Sequence, residues 1–155
     1  MSEYIDFIAI AHGTLGVLIL MGIGGVIASL WGEPKKSVRG LKFFSTLAAV
    51  SAFLIVLFGD ALYLFYRSPD NARSLINAGS TPWAHGIVME FKEHAGHFVP
   101  VLLLISLTVV LHYREEMLSN KQARISVLLF VLASLFLTLV EMAMGAFITG
   151  VQPVI

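Results

Sequence analysis

Four long apolar runs separated by short polar stretches dominate the chain: Phe7 to Trp31, Leu41 to Tyr66, Ala95 to Tyr113 and Ile125 to Ile148. Each is close to the roughly 20 residues that an α-helix needs to cross about 30 Å of hydrocarbon. None alternates apolar and polar residues at every second position, as the strands of a closed barrel would. Lipid offers the backbone no other way to satisfy its hydrogen bonds. The pattern therefore predicts an all-α protein, an integral membrane four-helix up-down bundle, with residues 1–155 forming one transmembrane domain. The expected spans are 7–31, 41–66, 82–117 and 125–148, the third extending beyond an apolar part at 95–113. Ser80-Thr81-Pro82 carries that extension, because it reads as a cap followed by proline in the first turn. Pro100 predicts a kink in the apolar part. The stretch from Arg67 to Thr81, with Pro69-Asp70-Asn71 and Ala78-Gly79-Ser80, predicts an irregular loop or at most a short surface helix.

Composition agrees with this reading: 57% of residues are hydrophobic and 13% charged, and the mean hydropathy is +0.86. A net charge of zero hides segregation, since the charged residues gather at Glu33 to Lys42, Arg67 to Glu93 and Arg114 to Arg124. Lys35, Lys36, Arg39, Lys42, Arg114, Lys121 and Arg124 fall on one side, against Arg67, Arg73 and Lys92 on the other. This imbalance predicts a cell (inner) membrane protein with both termini on the outer side. Glu3 and Asp6, rather than basic residues, precede the first run, so a cleaved signal peptide is not expected. The chain has no cysteine, which excludes disulfides, iron–sulfur clusters and covalent haem attachment through thioethers. No hydrolase constellation, phosphate-binding glycine loop or nucleic-acid-binding basic patch is present.

An ionisable residue inside a span costs on the order of 2.5–3.5 kcal/mol, so each needs a reason. There is one per span. His12 lies about 9 Å deeper than Asp6, Asp60 about 10 Å from Arg67, and Glu141 about 13 Å from Gly150. His97 opens the apolar part of the third span. All four fall at a similar depth in the outer half. Glu90, His94 and His97, at i, i+4 and i+7, form a stripe on the third helix. Lys92 and Glu93 are expected on other faces, toward water.

In an up-down bundle the first and third helices can sit diagonally, so His12 and His97 can face each other across the interior. Neutral imidazole is a good axial ligand for haem iron, and a flat macrocycle between helices needs small neighbours. Gly13 and Gly16 flank His12, Gly24 lies further along, and Gly96 precedes His97. Glycines of this kind also serve close helix packing. With Ala11-His12-Gly13-Thr14-Leu15-Gly16 and Gly96-His97 on its four spans, the chain resembles, in layout only, the membrane cytochromes b, including the cytochrome b of quinol–cytochrome c reductases. That resemblance implies a bis-histidine, low-spin haem b carrying one electron, exchanged with quinone or a partner redox protein, with the chain as haem-bearing subunit of a quinone-linked oxidoreductase. His112 has no histidine at its level on the first two helices, so one haem is expected rather than two, and His112 reads as an interfacial residue.

Asp60 and Glu141 could relay protons released by quinol oxidation, or orient an imidazole. His85 is expected to be solvated. The alternatives are a non-haem metal site drawing on Glu90, His94, His97, His12 and Glu141, ion translocation through the two carboxylates, and a structural anchor subunit. Besides the lipid bilayer, expected partners are other membrane or outer-face redox subunits, docked on the polar segments near the third helix's start.

Overall fold

The computed structural model describes residues 2–31 and 34–154. Four helices are long and apolar enough to cross a membrane: Glu3–Leu30, Val38–Tyr66, Ala84–Leu118 and Lys121–Val151. They overrun the apolar stretches because helical hydrogen bonding continues into polar residues until a cap stops it. α1 covers Ser2–Leu30, α2 Pro34–Tyr66 and α6 Lys121–Val151. Asn120 starts α6 four residues before the apolar run, its side chain accepting the Ala123 N–H at 3.0 Å. Of the basic residues that set the expected orientation, the side chains of Lys35 and Lys36 lie outside the described residues, as does Glu33.

The third span is composite. A π-helical segment, Ala84–Met89, leads into α4 (Glu90–Gly96), α5 (Phe98–Tyr113) and a 3₁₀ turn, Arg114–Leu118. In the wide π turn the Glu90 N–H reaches back to the His85 carbonyl. Regular bonding breaks at His97, where α4 gives way to α5. Pro100 accounts for the break, since it has no N–H to offer the turn before it. Between α2 and the third span, α3 (Ala72–Ala78) is capped by the Asn71 side chain. It is more than a surface helix, because Ala72 and Ile76 are buried against Tyr66, Ala84 and Ile148.

α1 packs on α2, α2 on α5, α5 on α6 and α6 back on α1, which leaves α1 and the third span diagonal to each other. Neighbours run antiparallel: the Tyr4 ring meets Phe65 at 6.3 Å, and Arg124 Nη2 donates to the Leu30 carbonyl at 2.9 Å at the other end. The bundle thus has a termini end and a far end. Its dry core lies toward the far end, around Ile19, Ile23, Val26, Leu41, Ala48, Leu103, Val127 and Val131. Of the buried hydroxyls there, Ser134 donates back to the Phe130 carbonyl at 2.8 Å, while those of Ser45 and Ser106 have no hydrogen-bond partner among the described residues.

Candidate functional site

Toward the termini end the four long helices part around a cavity of about 410 Å³. Its walls are largely apolar, from Ile19, Ile55, Val99, Met142 and Ile148, with polar side chains from every long helix: His12, Asp60, Tyr63, Lys92, Glu93, His97 and Glu141. Glycines make room for them. A Cβ on Gly59 would meet His12 Cε1 at 3.1 Å, one on Gly96 would meet Glu141 Oε2 at 3.3 Å, and one on Gly145 would meet Lys92 Cε at 3.4 Å.

These contacts put His12, Asp60, His97 and Glu141 at one level. The His12 ring lies beside Gly59, the next residue, Asp60, faces His97 with Oδ1 3.8 Å from Nε2, and Gly96 abuts Glu141. Both histidines are oriented by backbone. His12 Nδ1 donates to the Ile55 carbonyl at 3.1 Å, and His97 Nδ1 donates to the Glu93 carbonyl. A carbonyl can only accept, so Nδ1 holds a proton in each ring, and each ring when neutral presents the Nε2 lone pair. Gly13 and Gly16 line the cavity beside His12, and the space at a Gly13 Cβ is open. Asp60 and His97, with side chains 58% and 56% exposed, stand at a gap between α2 and the third span.

No family model, curated protein or solved structure matches this chain. The site must therefore be read from its own chemistry.

Several expectations need correction. Lys92 and Glu93 do not face water but line the cavity together with Met89, Gly96 and His97. Glu90 and His94 are absent from its wall; His94 is exposed and its Nδ1 donates to the Glu90 carbonyl at 2.7 Å. Of the stripe Glu90, His94 and His97 only His97 lines the cavity, and Met89, Lys92, Glu93 and Gly96 turn inward with it. Among the described residues no group of three or more His, Cys, Asp or Glu could hold a metal ion. Gly24 is exposed and away from the cavity. His112, not expected as a ligand, is away from the cavity, edge-on to Tyr113 at 5.1 Å.

His85 is not solvated. It is 7% exposed and sits in the π-helical segment, accepting at Nε2 from Arg73 Nε at 3.1 Å. Since Nε2 accepts, Nδ1 holds the proton and donates to the Tyr66 hydroxyl, also at 3.1 Å. Glu90 Oε1 lies 3.5 Å from the same Nε2 and accepts from the Tyr63 hydroxyl at 3.3 Å. Tyr63 and Tyr66 stack at 5.6 Å and both line the cavity. Through Tyr63 and Tyr66 this knot forms part of the cavity wall, and through Arg73 it ties α3 to the bundle. Tyr63 and Tyr66, at i and i+3 on α2, were a visible sign of a polar contact surface, whereas nothing in the sequence marked Arg73 as their link.

Proposed function

We propose that this protein is a multi-pass membrane electron carrier holding one haem b between His12 and His97. The observation that carries the reading is that two imidazoles from diagonal helices line one cavity, each with Nδ1 fixed by a carbonyl and Nε2 left as a ligand. That donor set fits an iron porphyrin, which supplies four nitrogens itself and asks only two of the protein. A bare metal ion asks for three or four protein ligands, and the described residues offer no such group. The small residues Gly13, Gly16 and Ala9 along the wall suit a flat ligand close to the backbone.

When bound, haem would supply one-electron chemistry, exchanged with quinone or a redox partner at the membrane surface. The chain's own residues orient the two imidazoles, exclude water with the apolar wall, and place Asp60 and Glu141 where protons released by quinol oxidation could be taken up. The excess of lysine and arginine at the far end supports insertion with that end in the cytoplasm and both termini outside. A role as a subunit of a larger oxidoreductase is compatible with the small mass outside the long helices.

The test is a visible spectrum of detergent-purified protein, oxidised and then reduced with dithionite. A sharp Soret band with narrow α and β bands on reduction is expected, lost in His12→Ala and in His97→Ala but kept in His94→Ala and His112→Ala. Haem retained in both of the first two variants would sink the pairing.

A further inference from the structure

Lys92 is the one lysine or arginine among the described residues that line the cavity, and it points the unusual way. A lysine on a membrane helix ordinarily runs its stem toward the interface so that the ammonium reaches water. This stem instead turns inward past Gly145, and the side chain is 20% exposed. Glu141 Oε2 stands 3.8 Å from the ammonium, beyond hydrogen-bond reach. Glu141 Oε1 is buried without a hydrogen-bond partner, as is the hydroxyl of Thr138. Thr138 is 4% exposed, lies one turn away on the same face of α6, and lines the cavity.

A buried ion pair is stable only when further hydrogen bonds satisfy its remaining donors and lone pairs. Among the described residues no further hydrogen bond completes this pair: Glu141 Oε1 and the Thr138 hydroxyl lack partners, and the ammonium stands 3.8 Å from Glu141 Oε2. An ammonium and a buried hydroxyl lining one cavity are donors that a carboxylate can use.

We propose that Lys92, with Thr138 in the same cavity lining, seats a carboxylate of the molecule the cavity holds, and that Lys92 exchanges Glu141 for that carboxylate when the cavity fills. The identity of the carboxylate rests on the haem reading. A b-type haem carries two propionates, and a charge left unpaired in hydrocarbon is costly. With the iron fixed by His12 and His97, the lining offers a propionate one lysine and no arginine. Glu141 then acts as place-holder in the empty protein and as a like-charged neighbour in the filled one.

The test titrates haem-free, full-length protein in detergent with protohaem and with its dimethyl ester, following the Soret band. Wild type is expected to bind the free acid tighter by roughly tenfold or more. Lys92→Met should erase that preference while leaving affinity for the ester unchanged. Glu141→Gln should raise affinity for the acid and leave the ester alone, because a competitor for Lys92 has been removed. Equal binding of acid and ester by wild type, which needs no variant, overturns the inference and leaves the haem reading standing, as does a Lys92→Met loss that is the same for both. Absence of a Soret band with either porphyrin overturns the haem reading and this inference together.

Discussion

The far half and the termini half of the bundle use glycine for opposite ends. In the far half it removes a side chain so that helices touch: a Cβ on Gly22 would come within 2.8 Å of the Ala48 backbone nitrogen, and Gly25 lies against the Phe44 ring. In the termini half Gly59, Gly96 and Gly145 give their space to His12, Glu141 and Lys92. Closeness yields a dry core in one half and a polar cavity in the other. Composition does not separate the two, because a glycine facing backbone and a glycine facing an imidazole are the same letter.

The contrast is most easily broken at Gly22. Gly22→Ala drives a methyl into the backbone of α2, which cannot yield without moving the helix, and should destabilise the bundle by about 1–3 kcal/mol. A lowered melting temperature in detergent would register it; an unchanged one would mean that the two helices slide freely past each other.

A more local effect of comparable size is expected from His85→Ala, which strips Arg73 and the Tyr66 hydroxyl of their buried partner at about 1–3 kcal/mol. Because that loss is confined to the knot at the cavity wall, limited proteolysis between Arg67 and Trp83 should quicken before the long helices melt. Cleavage rates equal to wild type would show the knot to be dispensable.

Gly13→Ala should have the least effect on the fold, since nothing lies within 4 Å of the added methyl. Its melting temperature without ligand should match wild type, or rise slightly through the helix preference of alanine over glycine, about 0.5–1 kcal/mol. Haem affinity should fall, because the methyl occupies space beside His12. A loss of apo-protein stability would reassign Gly13 to the packing class of Gly22.

These three residues also mark how far the sequence could be read. The long helices were legible from apolar length alone, and the common level of His12, Asp60, His97 and Glu141 followed from rise per residue, with contacts at Gly59 and Gly96 tying those levels together. Rotation about the third helix was not legible. Stripes beginning at Met89 and at Glu90 both carry polar side chains, and spacing cannot tell which faces inward. The π turn before Glu90 and the break at His97 remove the regular phase on which such a choice would rest. His85 departs from expectation for a related reason: its closeness to a predicted loop points to water, but α3 supplies Arg73 to it.

Because α1 and the third span sit diagonally, without substantial contact among the described residues, any group held between them would couple load to stability. A group bridging His12 and His97 would add a direct link between these two helices. Its binding free energy would then be counted in unfolding, adding about 2.7 kcal/mol when free ligand stands at 100 times its dissociation constant. The amount of protein that survives quality control in a cell would track the supply of that ligand, so that abundance itself would report on occupancy.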